Sequence, residues 1–339
     1  MTTQTETDGL LGVVDVPVMG LPVNVTRVYV LEGTRGPILV DAGWNDEAAW
    51  QALSNGLTSL GLDIGSTEGI IVTHHHPDHA GLAGRIQEES GAWVAMHEHD
   101  AALINEMRAT ESMESHLSWE IANLGSAGAP QTALDAYGDC GGSYSMAVPT
   151  AQVDRYLHDG DTIKSIAGNL TALWLPGHTR GHMGVVLEKQ RMIFTGDHVL
   201  SKTSPHVGEF VFPVDEHRLL RRYLESLNAI QGMVRDGYSV HPAHESVQIN
   251  WDNRIDEIAD HHHQRLGNLR AIVADGKPRT LWQIAEAMTW AVPWKDIPAL
   301  GWQLALSECS AHLSYLLDTA EVVANPPGDG PATFVVQNA

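Results

Sequence analysis

At 339 residues and 43% hydrophobic content, the chain is long enough for one large domain with an ample buried core and a small second one. Its formal charge of −22 repels polyanions and argues against a nucleic-acid partner, which is bound by neutralising phosphates with Lys and Arg. Two cysteines, Cys140 and Cys309, indicate no disulfide framework; with a polar, acidic start and no stretch near the roughly 20 apolar residues of a membrane span, a cytoplasmic protein is the expectation.

In chain order, residues 28–31 and 38–41 flank the turn Gly33-Thr34-Arg35-Gly36 and form a predicted hairpin. Asn45 then caps a helix whose Trp50, Leu53, Leu57 and Leu60 share one face. The apolar run Gly69-Ile70-Ile71-Val72-Thr73 is a buried strand that delivers His74 at its end. Pro77 suits the turn into a helix opened by Asp78 and His79. Residues 73–81 read Thr-His-His-His-Pro-Asp-His-Ala-Gly. Burying His74, His76, Asp78 and His79 without partners would be costly. Imidazole nitrogen and carboxylate oxygen are ligands that zinc, iron and manganese prefer, so the run points to a pair of metal ions.

A helix near 81–89 and a strand at 93–96 follow. Residues 104–150 break this rhythm. Met107, Met113, Leu117, Trp119 and Ile121 lie among charges, ahead of a Gly-, Ala- and Ser-rich stretch through Gly142. The segment is read as an inserted helical lid over the substrate pocket, placed to shape specificity, with core packing as the competing role of its methionines and aromatics. Strands at 170–175, 184–188 and 191–195 come next. Three more strand ends carry candidate ligands: Pro176-Gly177-His178-Thr179, Gly196-Asp197-His198, and His241-Pro242-Ala243-His244. Between the last two, a helix at 216–230 carries Leu220, Tyr223, Leu224, Leu227 and Ile230 on its inner side. Arg218, Arg221 and Arg222 on that helix read as a solvated face.

Beyond residue 250 the pattern changes. Ile255, Ile258, His262, Leu266, Leu269 and Val273 mark a helix ending before Gly276, and Thr280-Leu281-Trp282-Gln283 opens a second with a capping box. A third carries Leu304, Leu313, Leu316 and Leu317. Val322-Val323 and Phe334-Val335-Val336, around a Pro- and Gly-rich turn, read as a two-strand wing.

The motifs H-H-H-P-D-H, P-G-H-T-R-G-H and G-D-H, the late His244, and Leu39-Val40-Asp41-Ala42-Gly43 together resemble the metallo-β-lactamase-fold superfamily, and within it the glyoxalase II-like hydrolases. The resemblance covers roughly residues 10–250, and the order of the motifs is far more specific than any one alone. It implies an αββα sandwich over residues 1–250, with the 104–150 segment as an insertion, and a winged-helix-like domain over 251–339. It also implies one ion held by His74, His76 and His178, a second held by Asp78, His79 and His244, and Asp197 bridging them. Two zinc ions per chain are expected, with iron or manganese as alternatives, and Asp78 and Asp197 are the expected catalytic carboxylates. Asp41 is expected to orient a ligand imidazole, and His182 to hydrogen-bond behind the ligands. His75 is expected to point away. For His97, His99 and His198 solvated or structural roles are favoured. His241 either lines the site or simply ends its strand, and His261, His262 and His263 have a surface or packing role. Two departures stand out: Arg180 replaces the usual proline and adds a charge at the site mouth, and His244 sits in P-A-H-E rather than P-G-H-G.

Two cations about 3.5–4 Å apart share a water and lower its pKa, giving a bridging hydroxide that attacks a carbonyl or phosphorus centre. The expected activity is hydrolysis of a small-molecule ester, thioester or lactone. A metal-dependent endoribonuclease or phosphodiesterase, a β-lactamase and a mononuclear iron persulfide dioxygenase are the alternatives. No cysteine lies in a ligand motif, which counts against the cysteine-ligated lactamases, and the complete Asp78, His79 and His244 set counts against the iron enzyme. Residues 250–339 carry 11 acidic and 6 basic side chains, so a winged helix there lacks the electrostatic footprint for nucleic acid. A structural, pocket-covering or homodimerising role is expected instead.

Overall fold

The computed structural model describes residues 9–18, 24–109, 113–142, 149–208, 218–326, 328 and 330–337. One sheet runs in the order β1 (Leu10–Pro17), β2 (Val25–Glu32), β3 (Pro37–Val40), β4 (Gly69–Ile71), β5 (Trp93–His97) and β6 (Arg155–Leu157). Its first three strands pair antiparallel and β3 to β6 pair parallel. A second sheet contains β7 (Thr162–Ser165), β8 (Gly168–Trp174), β9 (Met183–Leu187), β10 (Met192–Gly196) and β11 (Ser239–Pro242), in the order β11-β10-β9-β8-β7. Here only the β10–β11 pair is parallel.

The side-chain period of two explains the layers. In β2, Val28 and Val30 face the helices, whereas Tyr29 and Leu31 face the second sheet; in β3, Leu39 faces out while Ile38 and Val40 face in. Between the sheets these meet Leu170, Met183, Val185, Leu187 and Phe194. Leu31, Ile38 and Phe194 are fully buried there, each contributing roughly 1.5–3 kcal/mol. Outside the first sheet pack α1 (Glu47–Ser59), the one-turn α2 (Pro77–Ala80), α3 (Ala83–Ser90) and α4 (Glu98–Ala109). The chain therefore forms the expected αββα sandwich.

After α4 come α5 (Met113–Ser126) and α6 (Gln131–Asp139), then α7 (Leu219–Arg235), α8 (Trp251–Val273), α9 (Leu281–Ala287) and α10 (Gly301–Asp318). The hairpin of β12 (Val322–Asn325) and β13 (Thr333–Val336) closes the described chain. One continuous core joins Leu124 and Tyr137 of α5 and α6, Tyr223 and Leu227 of α7, and Leu266, Ile284 and Leu313 of the last three helices. Trp282 N donates to Ala127 O at 2.8 Å, and Gln303 Nε2 to Tyr137 Oη at 2.8 Å. The helices of the 104–150 segment thus pack on the C-terminal helices. Leu117 and Ile121 serve that core, while Trp119 is exposed. No helix among the described residues is long and apolar enough to cross a membrane.

Several local expectations need correction. Asp46, not Asn45, caps α1, accepting from Ala49 N at 2.8 Å. The start expected at 216 for α7 lies outside the described residues, and that helix extends to Arg235. Arg218, Arg221 and Arg222 do not share one solvated face. Arg218 and Arg221 pair with Asp318 of α10 at 3.1 and 3.2 Å, while Arg222 lies over the Trp174 ring. Strands β1, β6 and β7 had no counterpart in the sequence reading. The Thr280 capping box is present in full.

Candidate metal centre

The parallel strands β3, β4 and β5 end at one edge of their sheet, and β8, β10 and β11 end beside them. Each end carries a polar residue that a buried position would otherwise exclude. Asp41 follows β3 in a left-handed conformation, φ 64°, which Asp tolerates better than most residues. It accepts from Thr73 N at 2.8 Å and Thr73 Oγ1 at 3.1 Å, and its Oδ2 lies 2.9 Å from His79 Nδ1. Glycine is required at the end of β10. Gly196 has φ 52°, and a Cβ there would lie 2.7 Å from Thr73 Oγ1 and 2.8 Å from His182 Nε2.

These turns bring all seven motif side chains together. His74, His76 and His178 form one group, His74, His79 and Asp197 a second, and Asp78, His79 and His244 a third, with ligand atoms in each within 4.8 Å of one another. His76 Nδ1 lies 2.9 Å from His74 Nε2 and 3.0 Å from His178 Nε2. Asp197 stands between the groups. Its Oδ1 is 3.1 Å from His244 Nε2 and 3.4 Å from His79 Nε2, and its Oδ2 is 3.9 Å from His178 Nε2. Asp78 Oδ2 is 3.3 Å from His244 Nε2.

The other ring nitrogens set the tautomers. His178 Nδ1–H donates to His206 O at 2.8 Å and His244 Nδ1–H to Val25 O at 2.6 Å. Thr73 Oγ1 gives its proton to Asp41 and so accepts from His74 Nδ1–H at 3.1 Å. His79 Nδ1–H points at the Asp41 carboxylate. Four imidazoles therefore turn their Nε2 atoms inward, the arrangement that metal-binding histidines use.

Burial pushes His74, His76 and His178 below the usual histidine range, holding them neutral. At His79 and His244 burial works the same way, but the carboxylates of Asp197 and Asp78 outweigh it. His79 is raised well above its usual value and His244 to about 10. His79 Nε2, His244 Nε2 and Asp197 Oδ1 are buried without a hydrogen-bond partner. Inward-facing ligand atoms, several of them buried and unsatisfied, suit a cation at the centre, which would take the place of the protons that the carboxylates favour on His79 and His244. The donor set of imidazole and carboxylate suits a first-row divalent metal.

The surrounding histidines take supporting places around the cluster. His182 Nε2 accepts from Asp197 N at 3.2 Å, behind the cluster. His75 turns toward Asp100, its Nδ1 3.0 Å from Oδ2. His198 is buried rather than solvated, 4.5 Å from the Tyr223 ring. His97 is buried and stacks on Trp174. His241 packs edge-on against Tyr29 and is a strand residue. His262 is buried against His312, 3.2 Å away. Glu245, the departure in P-A-H-E, accepts from Thr203 Oγ1 at 2.7 Å and Thr203 N at 3.1 Å, fixing the loop beside His244.

Asp100 escaped the sequence reading. Fully buried, it accepts from His75 N at 2.9 Å, Thr179 Oγ1 at 2.8 Å and Gly181 N at 2.7 Å. It therefore ties the 74–79 turn to the 176–182 loop. Its available signal was its place just past the β5 strand end, the same position that flagged His74 and Asp197.

Residues 21–236 match the family model described as the metallo-beta-lactamase superfamily. The chain is 26% identical over 298 residues to the probable metallo-hydrolase YqjP of Bacillus subtilis, across 85% of this chain and 86% of that protein. The crystal structure of the metallo-beta-lactamase family protein TTHA1429 from Thermus thermophilus shares the fold with a TM-score of 0.75 and 27% identity, covering 96% of this chain and 98% of that one. The acyl-coenzyme A thioesterase MBLAC2 of Gallus gallus is 25% identical over 181 residues, 51% of this chain and 57% of that protein.

Proposed function

The chain belongs to the metallo-beta-lactamase superfamily, and from that premise we propose that it is a hydrolase of a small-molecule ester, thioester or lactone that works with two zinc ions. Iron or manganese would serve the same donor set. The observation that carries this reading is the pair of ligand groups on either side of Asp197, one of imidazoles alone and one containing Asp78. Metal ions held there would polarise a carbonyl oxygen and lower the pKa of water.

The chain's own groups would do the rest. His74 Nε2, His76 Nδ1 and His178 Nε2 would hold one ion; Asp78, His79 and His244 would hold the other. Asp197, with one oxygen toward each group, would bridge them. Asp78 Oδ2 is the acceptor for a proton from the attacking water and can return it to the leaving oxygen or sulfur. Asp41 and the carbonyls of Val25 and His206 keep the imidazoles from rotating. Likeness to a thioesterase and the net negative charge favour carbon esters and thioesters over phosphodiesters.

The test is turnover of a panel of thioesters, lactones and phosphodiesters by the full chain, before and after chelation and metal restoration. Metal-dependent cleavage of a carbon ester or thioester supports the reading. Cleavage confined to phosphodiesters would overturn it.

A further inference from the structure

Resting on the hydrolase reading, we propose that Arg222, Arg180 and His99 form a recognition subsite for an anionic group, a carboxylate or a phosphate, carried by the substrate away from the bond that is cut. The three line a cavity of about 50 Å³ with Pro176 and Leu219. A single water needs roughly 10–15 Å³, so the space suits one small charged group rather than an acyl chain.

The chemistry of the lining is unusual for a protein of net charge −22. Arg218, just ahead of α7, and Arg221, in its first turn, are taken by Asp318. Among the described residues no carboxylate pairs with Arg222. Its guanidinium lies 5.2 Å from the Trp174 ring centroid, a cation–π contact that limits its freedom. The same indole donates its Nε1–H to Arg180 O at 2.9 Å, stacks on His97 and lies 6.2 Å from the His99 ring. One aromatic side chain thus meets the Arg222 guanidinium and holds the Arg180 backbone, with the His99 ring nearby. Arrangement before binding lowers the entropic cost of capture, and guanidinium groups match carboxylate and phosphate oxygens two at a time.

The cavity adjoins the metal centre through the backbone. Arg180 is two residues from His178, a span of at most about 7 Å. Asp100 anchors both walls, since it follows His99 in the chain and accepts from Thr179 Oγ1 and Gly181 N on either side of Arg180. The same carboxylate holds His75 in the metal turn. An anion seated between the arginines would be held in fixed register with His178.

The experiment compares three thioesters on the metal-loaded full chain: neutral S-acetyl-N-acetylcysteamine, its S-succinyl counterpart with a free carboxylate, and acetyl-coenzyme A with phosphates on the leaving side. In Arg222→Gln, kcat/KM for the recognised anionic substrate relative to the neutral one falls about tenfold, through KM rather than kcat, as expected for one charged hydrogen bond. Whichever anionic substrate shows the fall identifies the source of the charge. Arg222→Lys, keeping charge without the fork, gives an intermediate loss and serves if the glutamine variant unfolds. Calorimetric binding of succinate and of desulfo-coenzyme A to wild type and variant provides an arm independent of turnover. An unchanged anionic-to-neutral ratio, or equal binding by wild type and variant, overturns the subsite even where hydrolysis persists. Absence of any ester cleavage removes the hydrolase reading instead, and the binding arm then decides the subsite by itself.

Discussion

Ser307 and His206 are joined side chain to side chain, Oγ to Nε2 at 2.7 Å, and the carbonyl of the same histidine accepts from His178 Nδ1. Through these two residues helix α10 reaches the metal centre. Gly208 reinforces the contact, because a Cβ there would lie 2.4 Å from Ser307 O. Ser307→Ala should therefore weaken metal binding about tenfold, the low end of the 10–100-fold range for groups behind a ligand. Competition with a chromophoric chelator measures it. Unchanged affinity would show that the Ser307 hydroxyl has no part in positioning His178.

Asp41→Asn separates charge from shape at His79. Asn tolerates the left-handed backbone at this position, so the fold should survive. The Nδ1–H of His79 loses its carboxylate partner, and metal affinity or turnover should fall 10–100-fold, read as metal content after dialysis against a buffered trace of zinc.

Asp100 predicts an acid-dependent stability term. Burial opposes its ionisation, but the adjacent His75 and hydrogen bonds from His75 and Thr179 outweigh burial and hold the carboxyl well below its usual range. The unfolded value is about 3.9. A depressed folded pKa contributes stability that is complete above the unfolded value and is lost as pH falls toward the folded one. Asp100→Asn, measured by urea unfolding of metal-depleted protein, should cost about 1.5–3 kcal/mol at pH 7. The gap between variant and wild type should close steadily below about pH 4. A gap independent of pH would refute the electrostatic part.

Gly196→Ala should destabilise the protein by about 1–3 kcal/mol, seen as a lower thermal midpoint. A side chain there meets both a left-handed backbone and the Thr73 and His182 side chains.

The parts of this molecule that were legible in sequence are those with a local cause. The strand 69–71 and the helix turn at Pro77 follow from apolar β-branched residues and a proline at N1. The capping box at Thr280 is likewise complete within four residues. Histidine and aspartate just past apolar strands marked the centre because core burial alone would not retain them. β1 was missed because Leu11 and Val13 face solvent while Val14 and Val16 are buried, blurring its apolar pattern. β6 and β7 are three and four residues long and largely exposed. The groups behind the ligands are out of reach for another reason. Val25 and His206 act through their carbonyls, which every residue possesses, and only the tertiary fold selects them. The division of three neighbouring arginines between Asp318 and Trp174 is equally a matter of packing.

Two metal ions shared by Asp197 would make the chain a hydrolase. Metal content per chain, measured on wild type, His178→Ala and His244→Ala alongside thioester turnover, tests it most directly. Wild type should hold two ions and each variant about one, with turnover disappearing on loss of either ion. Full turnover in a folded, metal-free sample, or metal content unchanged in both variants, would contradict it.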